Sequence, residues 1–373
     1  MATIKDYLDN IHAHGVSYLN LDIDFSKESF ESISAFCDWL RTHPCVTQIS
    51  FQHHKSNFDA PGTNLSLVPP IYITQIFAAI SDNPHVNMVH LPQCYLSHIT
   101  DTTAIAAIQK CLEKKPKVSI IGNDSDTWLT EHHSLCESIL VAMFKGESTD
   151  IRLQHVFSEE TSPDVAAEFF NAISIENEKI FQHVSLSHNS IDMGLREPLV
   201  QLLTLRATSI DLSHNPIGAG AIVDDWRVFL TAVKQNTQLT ELSLKNCNLC
   251  DLALSERDSG DTDTEIATPL SDREVFEALL IEFIRTTHLS IFDISMNDWS
   301  IPFMDSLIEA ANHNPNLKLV CGHPNEGWVT IRTQPRNTSS YPGDALSLLK
   351  FAPSDAKKIP KKPDIDNDHK LTF

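Results

Sequence analysis

Two groups of residues in this chain have types and spacings that chemistry uses. Cys247-Asn-Leu-Cys250 has the CxxC spacing of redox thiols and of half a zinc site, but no second CxxC completes four ligands. Histidines number 18, including the adjacent pairs His53-His54 and His132-His133. Four of them, His53, His155, His188 and His214, recur at like places in a sequence pattern, so a metal-binding or proton-sensing row is conceivable. Asp258, Asp261 and Asp263 lack the glycine and glutamate that a calcium loop needs at fixed offsets. No glycine-rich phosphate loop, HExxH or GxSxG occurs. No cofactor and no metal is therefore expected, and the expectation is a chain that is not an enzyme.

The pattern that would position these residues is a repeat. Residues 184–191 read Val-Ser-Leu-Ser-His-Asn-Ser-Ile, and 210–217 read Ile-Asp-Leu-Ser-His-Asn-Pro-Ile. Residues 242–249 and 292–299 follow the same scheme, apolar-x-apolar-x-x-(Asn/Cys)-x-apolar. Weaker copies begin at Leu19, Ile49, Val89, Val118, Ile151 and Leu317, in steps of 30, 40, 29, 33, 33, 26, 32, 50 and 25 residues. The alternating apolar pair is a short strand with one buried face. The Asn or Cys after it (Cys94, Asn123, Asn189, Asn215, Cys247, Asn297) sits where the chain turns inward, and its side chain can satisfy buried backbone groups of the neighbouring turn. Helical apolar spacing fills the intervals, as in Ile33, Phe36, Cys37 and Leu40. Proline after a helix stops it, as in Asn83-Pro-His-Val86 and Asn314-Pro-Asn-Leu317. Strand plus helix every thirty residues predicts a parallel sheet. Helices are wider than the roughly 4.8 Å strand spacing, so they take the outer arc and the sheet curves into an open horseshoe.

With these motifs the chain resembles the ribonuclease-inhibitor-like class of leucine-rich repeats. The resemblance covers residues 16–320 and is sharpest from 184 to 299; near 19, 49 and 151 the motif's Asn is replaced by Asp24, His54 and Val156. It implies an α/β leucine-rich-repeat solenoid of about ten units, with an N-terminal helical cap over 1–15 and the solenoid over 16–321. An acidic insertion spans 251–272, and a C-terminal cap and flexible tail spans 322–373, with a short helix around Ala345–Phe351. The cap rests on Ile4, Tyr7, Leu8 and Ile11 at helical spacing. The tail, with Leu371 near its end, is similar to the C-terminal signals of type IV (Dot/Icm) effectors of intracellular bacteria. That resemblance implies a chain delivered by a non-Sec route into a host cytoplasm; otherwise a cytoplasmic one is expected.

Charge and cysteines narrow the partners. A formal net charge of −21, from 49 acids against 28 Lys+Arg, repels phosphate backbones and anionic membranes, so a protein partner is expected and nucleic acid is not. No apolar run is long enough for membrane insertion, and the N-terminus has no secretory h-region. Eight cysteines are too sparse for a disulfide framework and are expected to be reduced and buried.

Side chains flanking each buried strand pair alternate toward the concavity. Among these the candidate partner-binding residues are Tyr18, Asn20, Gln48, Gln52, His90, Asp150, Arg152 and Gln154, followed by His183, Ser185, Asp211, Glu241, Lys245 and Asp293. Tyr18 and Arg152, with Trp128 on an adjoining turn, have the chemistry of binding anchors. The expected function is a non-catalytic protein-binding scaffold, a translocated effector docking on a host protein. The alternative is a regulatory factor: a GTPase activator with Arg152 as its finger, or a ubiquitin-pathway adaptor. Ubiquitin ligases among such effectors carry a Cys-x-Asp motif, whereas Cys37-Asp38 and Cys250-Asp251 are adjacent pairs.

Overall fold

The structure is a computed structural model. It describes residues 4–5, 8, 17–21, 28–51, 69–92, 99, 101–121, 133–157, 163–174, 179–251, 271–323 and 327–332. Contacts group Met1–Pro335 into one compact unit and Arg336–Phe373 into a second. The second unit, including the expected helix at 345–351 and Leu371, lies outside the described residues, as do Tyr7, Ile11, Gln52, His53, Cys94, Asn123, Trp128 and the insertion from 252 to 270.

Within the first unit, strands and helices alternate along the chain. They run β1 (Tyr18–Leu21), α1 (Phe30–Thr42), β2 (Gln48–Phe51), α2 (Pro70–Asp82), β3 (Met88–Pro92), α3 (Thr102–Lys114) and β4 (Lys117–Ile121). Next come α4 (His133–Lys145), β5 (Asp150–Gln154), α5 (Pro163–Ser174), β6 (Phe181–Ser185), α6 (Arg196–Leu202) and β7 (Ala207–Asp211). The series continues through α7 (Val223–Gln235), β8 (Glu241–Ser243), α8 (Asp272–Thr286), β9 (Ile291–Asp293), α9 (Ile301–Asn312), β10 (Lys318–His323) and β11 (Gly327–Arg332). Caps start the helices where the sequence has Ser or Asp. Asp101 accepts from the Thr103 and Ala104 amides, and Ser271 with Glu274 closes a capping box on α8.

Strands β1 to β10 form one parallel sheet in sequence order, and the sheet is not closed. The buried strand residues line up across it: Leu19, Ile49, Val89, Val118, Ile151 and Val184, then Ile210, Leu242, Phe292 and Leu319. Each is buried, and each helix packs on the next, so the helices share one side of the sheet and the core lies between. The last copy of the motif begins at Leu319, not Leu317, because Leu319 pairs with Phe292. Leu317 instead plugs the helix-to-strand corner, its amide bonded to Asn314 O as Leu239 N is to Asn236 O. Residues 327–332, placed in the cap and tail by the sequence, pair antiparallel with β10 as an eleventh strand.

The predicted side-chain ladder runs beneath the turns that follow the strands. The Asn215 amide donates to Leu186 O at 2.9 Å and Leu212 O at 2.8 Å, and its oxygen accepts from Asn189 N at 2.7 Å and Ile191 N at 3.2 Å. Asn297 repeats this with Leu244 O, Ile294 O, Cys247 N and Leu249 N. Asn189 does so with Leu153 O, Val156 N and Phe157 N. These asparagines are buried and fully engaged. The turns are tight. The residue before the ladder position is left-handed in His155, His188, His214, Asn246 and Met296, and the one after it in Ser190, Asn248 and Asp298. Pro216 takes the later place in one unit, where its ring fixes φ negative. Gly218 sits where turns approach closest, since a Cβ there would enter the Asn248 carbonyl.

A second ladder, absent from the sequence reading, runs at the opposite strand ends. The carbonyls left open at each helix C-terminus are met by a side chain from the next unit. Asn83 donates to Leu40 O and His43 O, and Lys115 to Asn83 O at 2.8 Å. Ser148 donates to Leu112 O and Lys115 O, and Lys179 to Phe144 O and Gly146 O at 2.8 and 2.6 Å. Asn236 bonds Leu203 O and Leu205 O, and Asn314 bonds Ile284 O and Thr287 O.

Asn215→Ala strands the Leu186 carbonyl and two amides and leaves Leu212 O to the weak Cys247 thiol donor, so equilibrium denaturation should show a loss of roughly 2–4 kcal/mol. Asn236→Ala leaves two carbonyls and the solvent-exposed Gln238 amide open, the last of which water can meet, and should cost less, about 1–2 kcal/mol. Burial pushes the Lys179 ammonium from 10.5 down to about 8. Between those values the unfolded chain binds more protons, so this residue's contribution to stability rises with pH across that window. The denaturation midpoint of the wild type relative to Lys179→Met should therefore increase from pH 8 to about pH 10. A pH-independent difference would refute it.

Candidate functional site

The face of the sheet opposite the helices carries the sequence-predicted residues, and strand register sorts them into rows. Tyr18, Gln48, Asp150, His183 and Glu241 fall in one row, with Met88, Lys117 and Ser209 between them and Ile291 beyond Glu241. Asn20, His90, Arg152, Ser185, Asp211 and Asp293 fall in the next, two residues further along the strands. Gln154 and Lys245 stand one step beyond, beside the strand ends. Gln52 lies outside the described residues. Ile291, half-buried, belongs to the first row and is not among the sequence-predicted residues.

Much of this face is tied to itself. Arg152 grips Asp150 through two nitrogens, Nε to Oδ1 at 3.1 Å and Nη2 to Oδ2 at 3.4 Å. The arginine is 48% exposed while its carboxylate is 12% exposed, so the pair is half in solvent. Gln154 donates to Ser187 Oγ at 3.0 Å. Ser185 Oγ donates to Asp211 Oδ2 at 3.0 Å, and Asp211 Oδ1 accepts from Ser213 N. Asp293 Oδ1 holds Ser295 through its amide and its hydroxyl. Tyr18 is an exposed aromatic of the face, at 47%.

Nucleophilic chemistry finds little support in this geometry. Ser209 Oγ lies 3.1 Å from His183 Nδ1, a pairing the sequence reading missed because the residues are 26 apart and only the strand register brings them together. Burial holds the His183 ring below its ordinary protonation range, against the nearby Asp150 carboxylate. A serine–histidine pair needs a third group to orient the ring, and among the described residues no carboxylate is hydrogen-bonded to His183. Burial likewise lowers His90. Among the described residues, no three His, Cys, Asp or Glu side chains come together as a metal ion would need.

The thiols of the CxxC are engaged and protonated. Cys247 occupies the ladder and donates to Leu212 O at 3.2 Å, and Cys250 donates to Asn297 O at 2.7 Å. Burial pushes both up to about 12, and does the same to Cys37 and Cys111. The nucleophile of a thioester must be a thiolate near neutral pH, and neither Cys37 nor Cys250 meets that condition.

No family model matches the chain, and no curated protein matches it closely enough to be reported as a relative. None of the helices among the described residues is long and apolar enough to cross a membrane.

Iodoacetamide labelling of the native protein near pH 8 should modify Cys45, which is exposed, and spare Cys37, Cys111, Cys247 and Cys321, which are buried. Peptide mass spectrometry would locate the adducts. Rapid modification of Cys247 in the folded chain would contradict its place in the ladder.

Proposed function

We propose that this chain is a leucine-rich-repeat solenoid of the ribonuclease-inhibitor-like kind, curved into a horseshoe, that binds a protein partner on its helix-free sheet face without catalysing a reaction. The observation that carries this reading is the register. Ten parallel strands in sequence order bring polar side chains from residues far apart in the chain into continuous rows on one face. A rigid sheet holding hydrogen-bonded side chains loses little conformational freedom when a partner docks. Tyr18 and Arg152 are exposed and of the types that anchor interfaces.

The GTPase-activator alternative needs a free arginine, and Arg152 is committed to Asp150. The ubiquitin-pathway alternative survives only as an adaptor, because the candidate thiols are protonated. The similarity of the C-terminal tail to type IV signals extends the proposal to delivery into a host cell. A reporter fused to the chain, whose transfer is lost on removing residues 364–373, would support that delivery; transfer unaffected by the removal would refute it.

The binding face is tested by affinity capture from eukaryotic lysate, comparing the wild type with the variant Tyr18→Ala, Arg152→Glu, His183→Glu. A protein captured by the wild type and reduced about tenfold or more with the variant would place the site on this face. Equal capture by a folded variant would move the site elsewhere, and no specific capture would argue against the scaffold.

A further inference from the structure

Three of the four histidines that recur along the sequence are stacked. The His188 and His214 rings lie 4.2 Å apart and nearly parallel, at 6°, and His155 lies 5.1 Å from His188 at 29°. Their backbones are coupled in the same order: His155 N donates to His188 O, His188 N to Ser213 O, and His214 N to Lys245 O. All three are left-handed and half-buried, and each immediately precedes the ladder position of its unit. We infer that His155, His188 and His214 form a pH-sensitive clasp that holds the turns after β5, β6 and β7 closed when neutral and loosens them when protonated.

The surroundings of His214 oppose a proton. Asn246 Nδ2, on the turn after β8, faces His214 Nδ1 at 3.0 Å. An amide donor there requires the ring nitrogen to accept, which an imidazolium cannot do. Lys245, on the same turn, and the His188 ring add positive charge beside His214, while Asp211 on β7 favours its proton. Burial, the leading cause, and these two neighbours lower His214, against Asp211. His188 has a ring on either side, so a second or third proton in the row meets a like charge at stacking distance.

The sign follows from linkage. With His214 lowered below the ordinary 6.5 in the folded chain, the unfolded chain binds more protons there as pH drops through that value. The contribution of His214 to the clasp is therefore present above it and lost below it. Rings driven apart pull on the backbone next to Val156, Asn189 and Asn215, whose amide and side-chain bonds form the ladder. The turns after β8 and β9 carry Asn246 and Met296 at the histidine position and supply an internal control.

Hydrogen exchange read by mass spectrometry, corrected for intrinsic rates, would test this at pH 7.5 and about pH 5.5 on the full chain. Protection at 155–157, 188–191 and 214–217 should fall about tenfold on acidification, while 246–249 and 296–299 hold. The variant His188→Asn/His214→Asn, which keeps residues tolerant of the left-handed turn, should lose that selective response. Equal loss in all the turns, or the same selective loss in the variant, would overturn the clasp. Imidazole NMR of the wild type provides a second readout: a midpoint for His214 at or above 6.5 would also overturn it. Asn246→Asp should raise the His214 midpoint by supplying an acceptor, and a midpoint left unmoved would count against the pairing that opposes its proton.

Discussion

A short parallel strand that turns sharply back over an apolar core leaves backbone amides and carbonyls buried where no neighbouring strand can reach them. Everything else in this fold depends on meeting those groups, because each one left open costs about as much as a core methyl cluster gains. Asparagine suits the task because one amide carries two donors and an acceptor on a short stem. Asn215 bonds its own unit, the carbonyl of the unit before and two amides of that same neighbour. Adjacent units are therefore fixed by polar bonds as well as by packing, and the strand register follows. Cys247 shows what happens when the acceptor is missing. Its thiol donates to Leu212 O, and Ile217 N, which an asparagine there would capture, turns instead to Asn215 O.

The helix ends impose the complementary condition. Open carbonyls at a helix C-terminus carry partial negative charge and ask only for donors. Asparagine, serine and lysine all serve, and the two lysines bring positive charge to the negative end of a helix dipole. Lys179 also lies 4.4 Å above the Phe181 ring, so its ammonium faces a π cloud as well as two carbonyls. The sheet is thus held between two polar seams with the core between them. One seam demands a particular residue type and the other accepts several.

That difference explains what could be read from the sequence. The turn-side seam repeats a residue type at fixed spacing, so the units from 184 to 299 and their strand register were legible. The helix-end seam repeats a function with changing chemistry, and Asn83, Lys115, Ser148 and Lys179 share no pattern to detect. The Asn-Pro signature was visible at two corners but read only as a helix stop, which is how Leu317 came to be taken for a strand residue. The antiparallel β11 carries no repeat signature and was read as cap and tail. On the open face, alternation in the sequence groups Tyr18, Gln48, Asp150, His183 and Glu241, which share one register row, but leaves out Ile291. Which of them bond one another, Ser209 with His183 or Ser185 with Asp211, depends on register between strands 26 residues apart.

The chemistry of the face follows from the same economy of space. Ser185, Ser187, Ser213 and Ser295 point outward yet are nearly buried, because neighbouring strands and longer side chains close over them. The Ser185, Ser187 and Ser295 hydroxyls bond Asp211, Gln154 and Asp293, and Ser213 bonds Asp211 through its amide, so much of the polar surface is satisfied before anything docks, while Asn20 Oδ1 is buried without a partner. A satisfied polar surface gives little affinity by exchanging bonds for equivalent ones. It does offer geometry at small entropic cost, and it penalises any partner that strips these groups of hydrogen bonds without replacing them. Affinity on such a face has to come from the few groups that are not saturated in this way: the exposed ring of Tyr18, the half-buried Ile291 and the solvent-facing part of Arg152. Selectivity has to come from the fixed serine and carboxylate rows between them.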